Sequence, residues 1–252
     1  MHKIFAKPIF LGKKVVFLPQ CHSTNDELVM LTKKSQLPEG TVVYTDHQEK
    51  GKGQRGNVWV AEPGKNVLMS ILLLPKFLNP QDQFFLNLIA GLAIVDTLGQ
   101  YFSGQIQLKW PNDIYVNQKK ISGVLVESNT RGSVLESCVV GIGLNLNQNG
   151  FHVPNATSLL IETEIEHDKF DVMDFLLRDI EKWYLKLKSN RKNEVLAAYH
   201  ALLMWRGEKR LFKSSEQEFI GEIIGIDSYG RLVINVQDKL KSFGIKEVEF
   251  VR

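Results

Sequence analysis

Apolar and polar residues alternate along the chain in rhythms that mark out its elements. Lys14–Leu18 and Thr41–Tyr44 are short runs rich in β-branched and aromatic residues, which predicts strands. Between them, Leu28–Lys34 spaces its apolar positions three and four apart behind Ser23-Thr24-Asn25-Asp26-Glu27. Ser23 or Thr24 as N-cap, with two acidic residues in the first turn, predicts a helix start there. Val67–Leu74 is apolar except for Ser70 and reads as a buried strand, and Phe84–Leu98 as a buried helix. Gln105–Trp110 predicts a strand that runs into the turn opener Pro111-Asn112-Asp113. Ile114–Val116 and Ile121–Glu127 flank Asn117–Lys120 as a hairpin. Val139–Leu146 is a further strand that contains Gly141 and Gly143, and Phe170–Lys188 and Asn193–Met204 carry helical periodicity.

The rhythm changes after Trp205-Arg206-Gly207. Short strand patterns occupy 208–213, 218–227, 231–236 and 246–251, with a tight turn at Asp227–Gly230. The expected organisation is α+β: a mixed-sheet unit over residues 1–206, then a small SH3-like β-barrel over 207–252.

Composition narrows the function. The 252 residues are 44% hydrophobic and 23% charged, which suits a globular protein. A formal net charge of +3 does not favour nucleic acid as a partner. Cys21 and Cys138 are the only cysteines, so no disulfide framework or cysteine-based zinc cluster is expected, and both read as reduced, partly buried thiols. No segment reads as a signal peptide or membrane span, so a cytoplasmic protein is expected.

Gly51-Lys52-Gly53-Gln54-Arg55-Gly56 spells GxGxxG after a predicted strand. A dinucleotide fold requires a helix directly after that loop, and here Pro63 and Gly64 forbid one. A protein kinase is excluded because neither His-Arg-Asp nor Asp-Phe-Gly occurs. The loop still suits phosphate, since three glycines let backbone N–H groups approach a ligand beside Lys52 and Arg55. Two further clusters stand out: Lys109-Trp110-Pro111-Asn112-Asp113 at a strand end, and glycines inside the strands at Gly123, Gly141 and Gly143. Glycines inside a strand mark a bulge or a close ligand approach. The histidines form no metal or nucleophile pattern.

In this order and spacing the pieces resemble the biotin–protein ligases: Ser23-Thr24-Asn25, Gln48 with the segment 51–59 (GKGQRGNVW), 109–114 (KWPNDI), 119–127 (KKISGVLVE), 141–147 (GIGLNLN) and 154–159 (PNATSL). The match is good over roughly residues 15–160. The resemblance implies two half-reactions. Biotin and ATP, with Mg²⁺ accompanying the nucleotide and no fixed metal site, give biotinyl-5′-AMP and pyrophosphate. A lysine of a biotin carboxyl carrier protein then takes the biotin. It implies that Ser23, Thr24, Asn25, Gln48, Gly51, Lys52, Gly53, Gln54, Trp59, Lys120, Gly123 and Gly143 bind biotin. Lys52, Arg55, Lys109, Asn112 and Asn145 would bind ATP, and Lys120, Asp113, Arg55 and Lys109 would be catalytic. Asp113 would orient the incoming lysine or accept its proton. The loop at 51–56 would be a lid, unordered until ligand binds. The family includes homodimers, and the few residues ahead of Ser23 leave no room for a DNA-binding head, so neither membrane nor nucleic acid is an expected partner. Two alternatives stay open: a lipoate–protein ligase or transferase of the same fold, and a non-enzymatic basic module that contacts nucleic acid.

The loop departs from the family's arginine-rich GRGRRG form. Lys52 keeps one charge and Gln54 loses one. Weaker retention of the adenylate is expected, so Gln54→Arg should slow its escape in a rapid-dilution assay. Equal escape rates in the two proteins would contradict this reading of Gln54.

Overall fold

A computed structural model describes residues 5, 7–151, 153–215 and 217–251, without the side chain of Arg55. The expected α+β organisation is observed. Seven strands form one sheet in the order β1-β2-β3-β7-β6-β5-β4. They are β1 (Val15–Cys21), β2 (Val42–Gln48), β3 (Val67–Leu73), β4 (Ile106–Lys109), β5 (Asp113–Val116), β6 (Lys119–Arg131) and β7 (Val134–Leu144). β1 and β2 run parallel and the other pairs are antiparallel, so the sheet is mixed.

Helices cover both faces. α1 (Thr24–Lys34) packs on β2, β3 and β7 from one side. α2 (Phe85–Leu98) packs on the other, with α4 (Lys169–Lys188) and α5 (Lys192–Leu202) behind it. This sandwich explains why all of β3 is buried: Val67, Met69, Ile71 and Leu73 join the main core, while Leu72 joins the smaller cluster of Leu28, Leu37, Val43 and Val139 under α1. α2 itself is apolar on almost every side, with Asn87 and Asp96 as its half-buried exceptions, as suits a helix enclosed by its neighbours. Ser23 is the N-cap of α1, but its side chain makes no capping bond, and Asp26 and Glu27 occupy the first turn. The last turn carries Lys33 and Lys34, favourable at the negative end of the helix dipole.

The sequence pattern misses two elements. α3 (Leu159–Thr163) is a short helix started by Ser158, whose hydroxyl accepts from the Ile161 N–H at 3.2 Å. β11 (Lys239–Phe243) is largely exposed and lysine-rich, so it carries little of the apolar alternation that signals a strand. It completes a second, antiparallel sheet of β8 (Lys209–Ser214), β9 (Gln217–Ile226), β10 (Leu232–Val236), β11 and β12 (Glu249–Phe250), in the order β11-β10-β9-β8-β12. This is consistent with the expected SH3-like unit. Cys21 and Cys138 are free and buried, as the composition predicts.

The second sheet shares the core of the first unit. Phe212, Ile223, Leu232 and Ile234 belong to the same continuous core as β3 and α2. Buried Trp110 donates its indole N–H to the Gly230 carbonyl at 2.8 Å. The Ile226 N–H donates to His200 Nε2 at 3.0 Å, and burial, reinforced by nearby Arg206, holds this imidazole below its ordinary pKa. Gly230 sits at φ +78°, and a Cβ there would lie 2.2 Å from Phe84 Cγ. Gly230→Ala should therefore cost about 2 kcal/mol, through backbone strain and the clash together. Denaturant unfolding of the two proteins measures this, and an unchanged midpoint would show that Phe84 moves away freely.

Candidate functional site

The site grows out of one face of the large sheet. On the α1 side, β7 presents Gly141 and Gly143, and β6 presents Gly123 and Leu125. The register places Gly123 opposite Gly143 and Leu125 opposite Gly141. Removing side chains from neighbouring positions opens a cleft of about 680 Å³. The two β7 glycines have different occupants. A Cβ on Gly141 would lie 2.2 Å from Asn25 Oδ1, and one on Gly143 would lie 2.4 Å from the Trp59 indole. The indole also covers Gly123, 3.2 Å from where its Cβ would be. In this structure the Trp59 ring thus lies on the glycine floor, with its Nε1 buried and making no hydrogen bond.

One end of the cleft is polar and belongs to the start of α1. Thr24 donates to Gln48 Oε1 twice, from its backbone N–H at 2.8 Å and its hydroxyl at 3.1 Å. Ser23, Thr24 and Asn25 are all buried here. The opposite wall carries the charged groups. β5 begins at Asp113, two residues beyond the Trp110–Pro111 peptide, which is cis. Lys120, across the β5–β6 hairpin, holds Asp113 Oδ1 at 2.7 Å and lies 5.5 Å from the Trp59 ring centroid. Asn112 is tied to β6 by a reciprocal pair: its Nδ2 donates to the Val124 carbonyl at 2.7 Å, and the Val124 N–H donates to the Asn112 carbonyl at 2.9 Å. Lys109 lies 5.4 Å from the ring of Tyr115 and 5.1 Å from that of Phe250.

The glycine loop is folded. Gln54–Gly56 makes a single 3₁₀ turn, and the Gly53 N–H to Asn57 carbonyl and Trp59 N–H to Gly51 carbonyl bonds close it as a narrow hairpin. In this conformation the segment expected to act as a lid is a flap whose Trp59 reaches the floor. Gly51 permits the fold, since a Cβ there would lie 2.3 Å from the Trp59 carbonyl. Lys52 is paired with Asp26 of α1, and that hydrogen bond, more than any other contact, keeps its ammonium above the ordinary lysine pKa.

Most residues singled out from sequence meet at this cleft: Ser23, Thr24, Asn25, Gln48, Lys52, Gly53, Gln54, Trp59, Lys109, Asn112, Asp113, Lys120, Gly123 and Gly143 all line it. Gly51 stands behind the wall against Gln48, whose Nε2 lies 3.1 Å from where a Gly51 Cβ would be. Asn145 is 4% exposed and does not line the cleft; its Nδ2 donates to the Thr157 carbonyl at 2.9 Å, while its Oδ1 has no partner. The Arg55 side chain lies outside the described residues.

Three contributions are absent from the sequence reading. The segment 155–157 straps Lys120 from behind, with Lys120 N–H donating to the Asn155 carbonyl at 2.7 Å and Thr157 N–H to the Lys120 carbonyl at 2.9 Å. Its only signal in the sequence is the PNATSL match, which carries no role by itself. Tyr199, fully buried, has its phenol pushed up chiefly by burial and further by the neighbouring Asp113 carboxylate, so it remains a neutral group there. Ile245, Lys246, Val248, Glu249 and Phe250 bring the second sheet to the rim of the cleft. Long-range packing places these residues, and no local pattern announces it.

The family model for the biotin/lipoate A/B protein ligase family matches residues 17–145. The chain belongs to that family. Among its relatives, the bifunctional ligase/repressor BirA of Bacillus subtilis is 30% identical over 245 residues, covering 95% of this chain and 74% of that protein. The biotin–[acetyl-CoA-carboxylase] ligase of Mycobacterium tuberculosis is 30% identical over 223 residues, covering 86% and 81%. Among solved structures, the biotin protein ligase of Aquifex aeolicus in complex with biotin and ATP superposes with a TM-score of 0.80 at 28% identity, covering 95% of this chain and 99% of that one. The glycine-bearing strands β6 and β7 are the floor on which Trp59 rests. Gly143→Val should therefore displace the indole, fill the slot and raise the ligand KM by about tenfold or more, the scale of one lost close contact. A blue or red shift in tryptophan emission reports the displacement, and unchanged emission with an unchanged KM would refute the contact.

Proposed function

We propose that this family member is a biotin–protein ligase, which activates biotin with MgATP to biotinyl-5′-AMP and passes the acyl group to a lysine of a biotin carboxyl carrier protein. The observation that carries the reading is the pairing, within one slot, of a polar end at Thr24 and Gln48 with the Lys120–Asp113 ion pair on the opposite wall. The ureido group of biotin suits the polar end, and its carboxylate then falls toward Lys120.

In the first half-reaction a biotin carboxylate oxygen attacks the α-phosphorus, and the bond to the β-phosphate oxygen breaks to release pyrophosphate. Two anions must approach, so fixed cations supply the stabilisation. Lys120 is placed for the carboxylate and the α-phosphate, with Lys52 and Lys109 placed for the polyphosphate. Lys52 and Lys120 each have a carboxylate partner now, Asp26 and Asp113, and would exchange part of that pairing for phosphate. Mg²⁺ belongs to this scheme as the counter-ion of the nucleotide. Among the described residues no cluster of three His, Cys, Asp or Glu gathers to hold a resident metal. Asn145, whose buried carbonyl oxygen makes no hydrogen bond, has an acceptor to offer on the side of the Thr157 strap.

In the second half-reaction the carrier amine attacks the acyl carbon, the bond to AMP breaks, and the amine loses a proton. Asp113 is our candidate to orient the amine and accept that proton. The flap 51–59 shields the mixed anhydride from water while Trp59 covers it. We further propose a unit boundary near residue 206, between α5 and β8, and a cytoplasmic site of action where ATP and carboxylases meet. No described helix is long and apolar enough to cross a membrane. The lipoate reading is weaker because a dithiolane ring has no carbonyl or N–H groups to engage Gln48 and Thr24.

Pyrophosphate should appear when biotin and ATP are mixed with the protein, and labelled biotin, not lipoate, should reach an added carrier domain. Lys120→Ala and Asp113→Ala should each lower transfer by about a hundredfold or more, the scale of losing a fixed electrostatic group. Full activity in either variant removes that residue from its role.

A further inference from the structure

Behind the polar end of the cleft runs a hydrogen-bond chain of which two members, Ser70 and Glu127, do not line the cavity. Ser70 is 0% exposed in the middle of β3. Alternation along that strand turns Ser70 toward α1, while Met69 and Ile71 on either side enter the main core. A hydroxyl between such neighbours is costly to bury unless it is fully bonded. Its partners are two side chains of the cleft: Ser70 Oγ lies 2.6 Å from Asn25 Oδ1 and 2.7 Å from Thr24 Oγ1, and its one proton is shared between these acceptors. Thr24 in turn donates to Gln48 Oε1. At the other end, Asn25 Nδ2 donates to Glu127 Oε2 at 2.7 Å, with the Leu125 carbonyl at 3.4 Å.

The chemistry of the end groups fixes the arrangement. An ionised carboxylate only accepts, so Glu127 requires the NH₂ side of Asn25 and turns its oxygen to Ser70. Gln48, with its oxygen occupied by Thr24, keeps its Nε2 on the side of Gly51. Neither Ser70 nor Glu127 lines the cleft. Gly141 makes room for the chain, since any side chain there would strike Asn25.

We propose that Ser70 and Glu127 are positioning residues for biotin: they hold Thr24, Asn25 and, through Thr24, Gln48 in the one arrangement that binds the ureido group, without touching the ligand. This rests on the biotin-ligase reading of the cleft. It separates the biotin end of the slot from its nucleotide end, because the cations Lys52, Lys109 and Lys120 lie outside the chain.

The test is steady-state pyrophosphate release in the full-length protein, with KM measured separately for biotin and ATP. Ser70→Ala and Glu127→Met should each raise the biotin KM about tenfold, the effect of one lost buried hydrogen bond. The ATP KM and kcat should stay within about twofold of wild type. Glu127→Gln, which keeps an acceptor for Asn25 but no charge, should restore the biotin KM to near wild type. That rescue separates the hydrogen bond from any effect of the Glu127 charge on nearby Lys52. The proposal is overturned if the biotin KM is unchanged in Ser70→Ala and Glu127→Met, if the ATP KM or kcat moves in step with it, or if Glu127→Gln is as impaired as Glu127→Met. Should Ser70→Ala fail to fold, the two variants at half-buried Glu127 decide alone. Absence of pyrophosphate release by the wild-type protein would instead bring down the biotin-ligase reading, an outcome distinct from an active wild type with indifferent variants.

Discussion

A sheet covered by helices on both faces has no space for a ligand unless side chains are missing from adjacent strands at matched positions. That constraint governs the whole site. Gly123 and Gly143 face one another across β6 and β7, and Gly141 lies one step along on the same face. These strands forgo packing where their neighbours are most tightly enclosed, and the surrounding core of α2, β3 and β7 offsets the loss. Everything that acts in the cleft is arranged around this floor. The start of α1 closes one end, the β5–β6 hairpin brings Asp113 and Lys120 to a side, and the flap lays the Trp59 ring on the floor itself.

Electrostatics inside the cleft are prepared rather than exposed. Lys52 and Lys120 are each neutralised by a carboxylate of the protein, so these two cations present little free positive charge at rest. A polyphosphate competes for those lysines against partners already in place. The net charge of +3 therefore says little about the strength of the site. Lys120 is further restrained by backbone bonds to residues 155–157, so its ammonium moves on a stem whose base is fixed.

Much of this was legible in the sequence, because hydrophobic rhythm and turn chemistry are local. The apolar run of β3, broken only by Ser70, the helix start behind Ser23 and the glycines of β7 each declare themselves within a dozen residues. The GxGxxG segment could be read only through its downstream neighbours: Pro63 and Gly64 ruled out a helix, and the structure shows a hairpin. The resting place of that flap was not legible, since it depends on Trp59 finding a floor in strands far along the chain. Ser70 looked like an interruption in an apolar strand; only the fold shows that it faces Asn25 and Thr24. The strap at 155–157 and the rim formed by 245–250 are likewise products of tertiary packing. β11 escaped notice because its exposed lysines carry no core-facing pattern.

The bond from Trp110 to Gly230 joins a residue next to Pro111-Asn112-Asp113 to a turn of the second sheet, with Phe84 filling the space a side chain at 230 would need. Three distant stretches of chain thereby share one fitted joint. The wall that carries Asp113 takes its alignment from a turn that contributes no chemistry of its own. The joint behaves as a three-piece fit: indole, missing side chain and phenyl ring occupy one space, so a change of size in one falls on the other two.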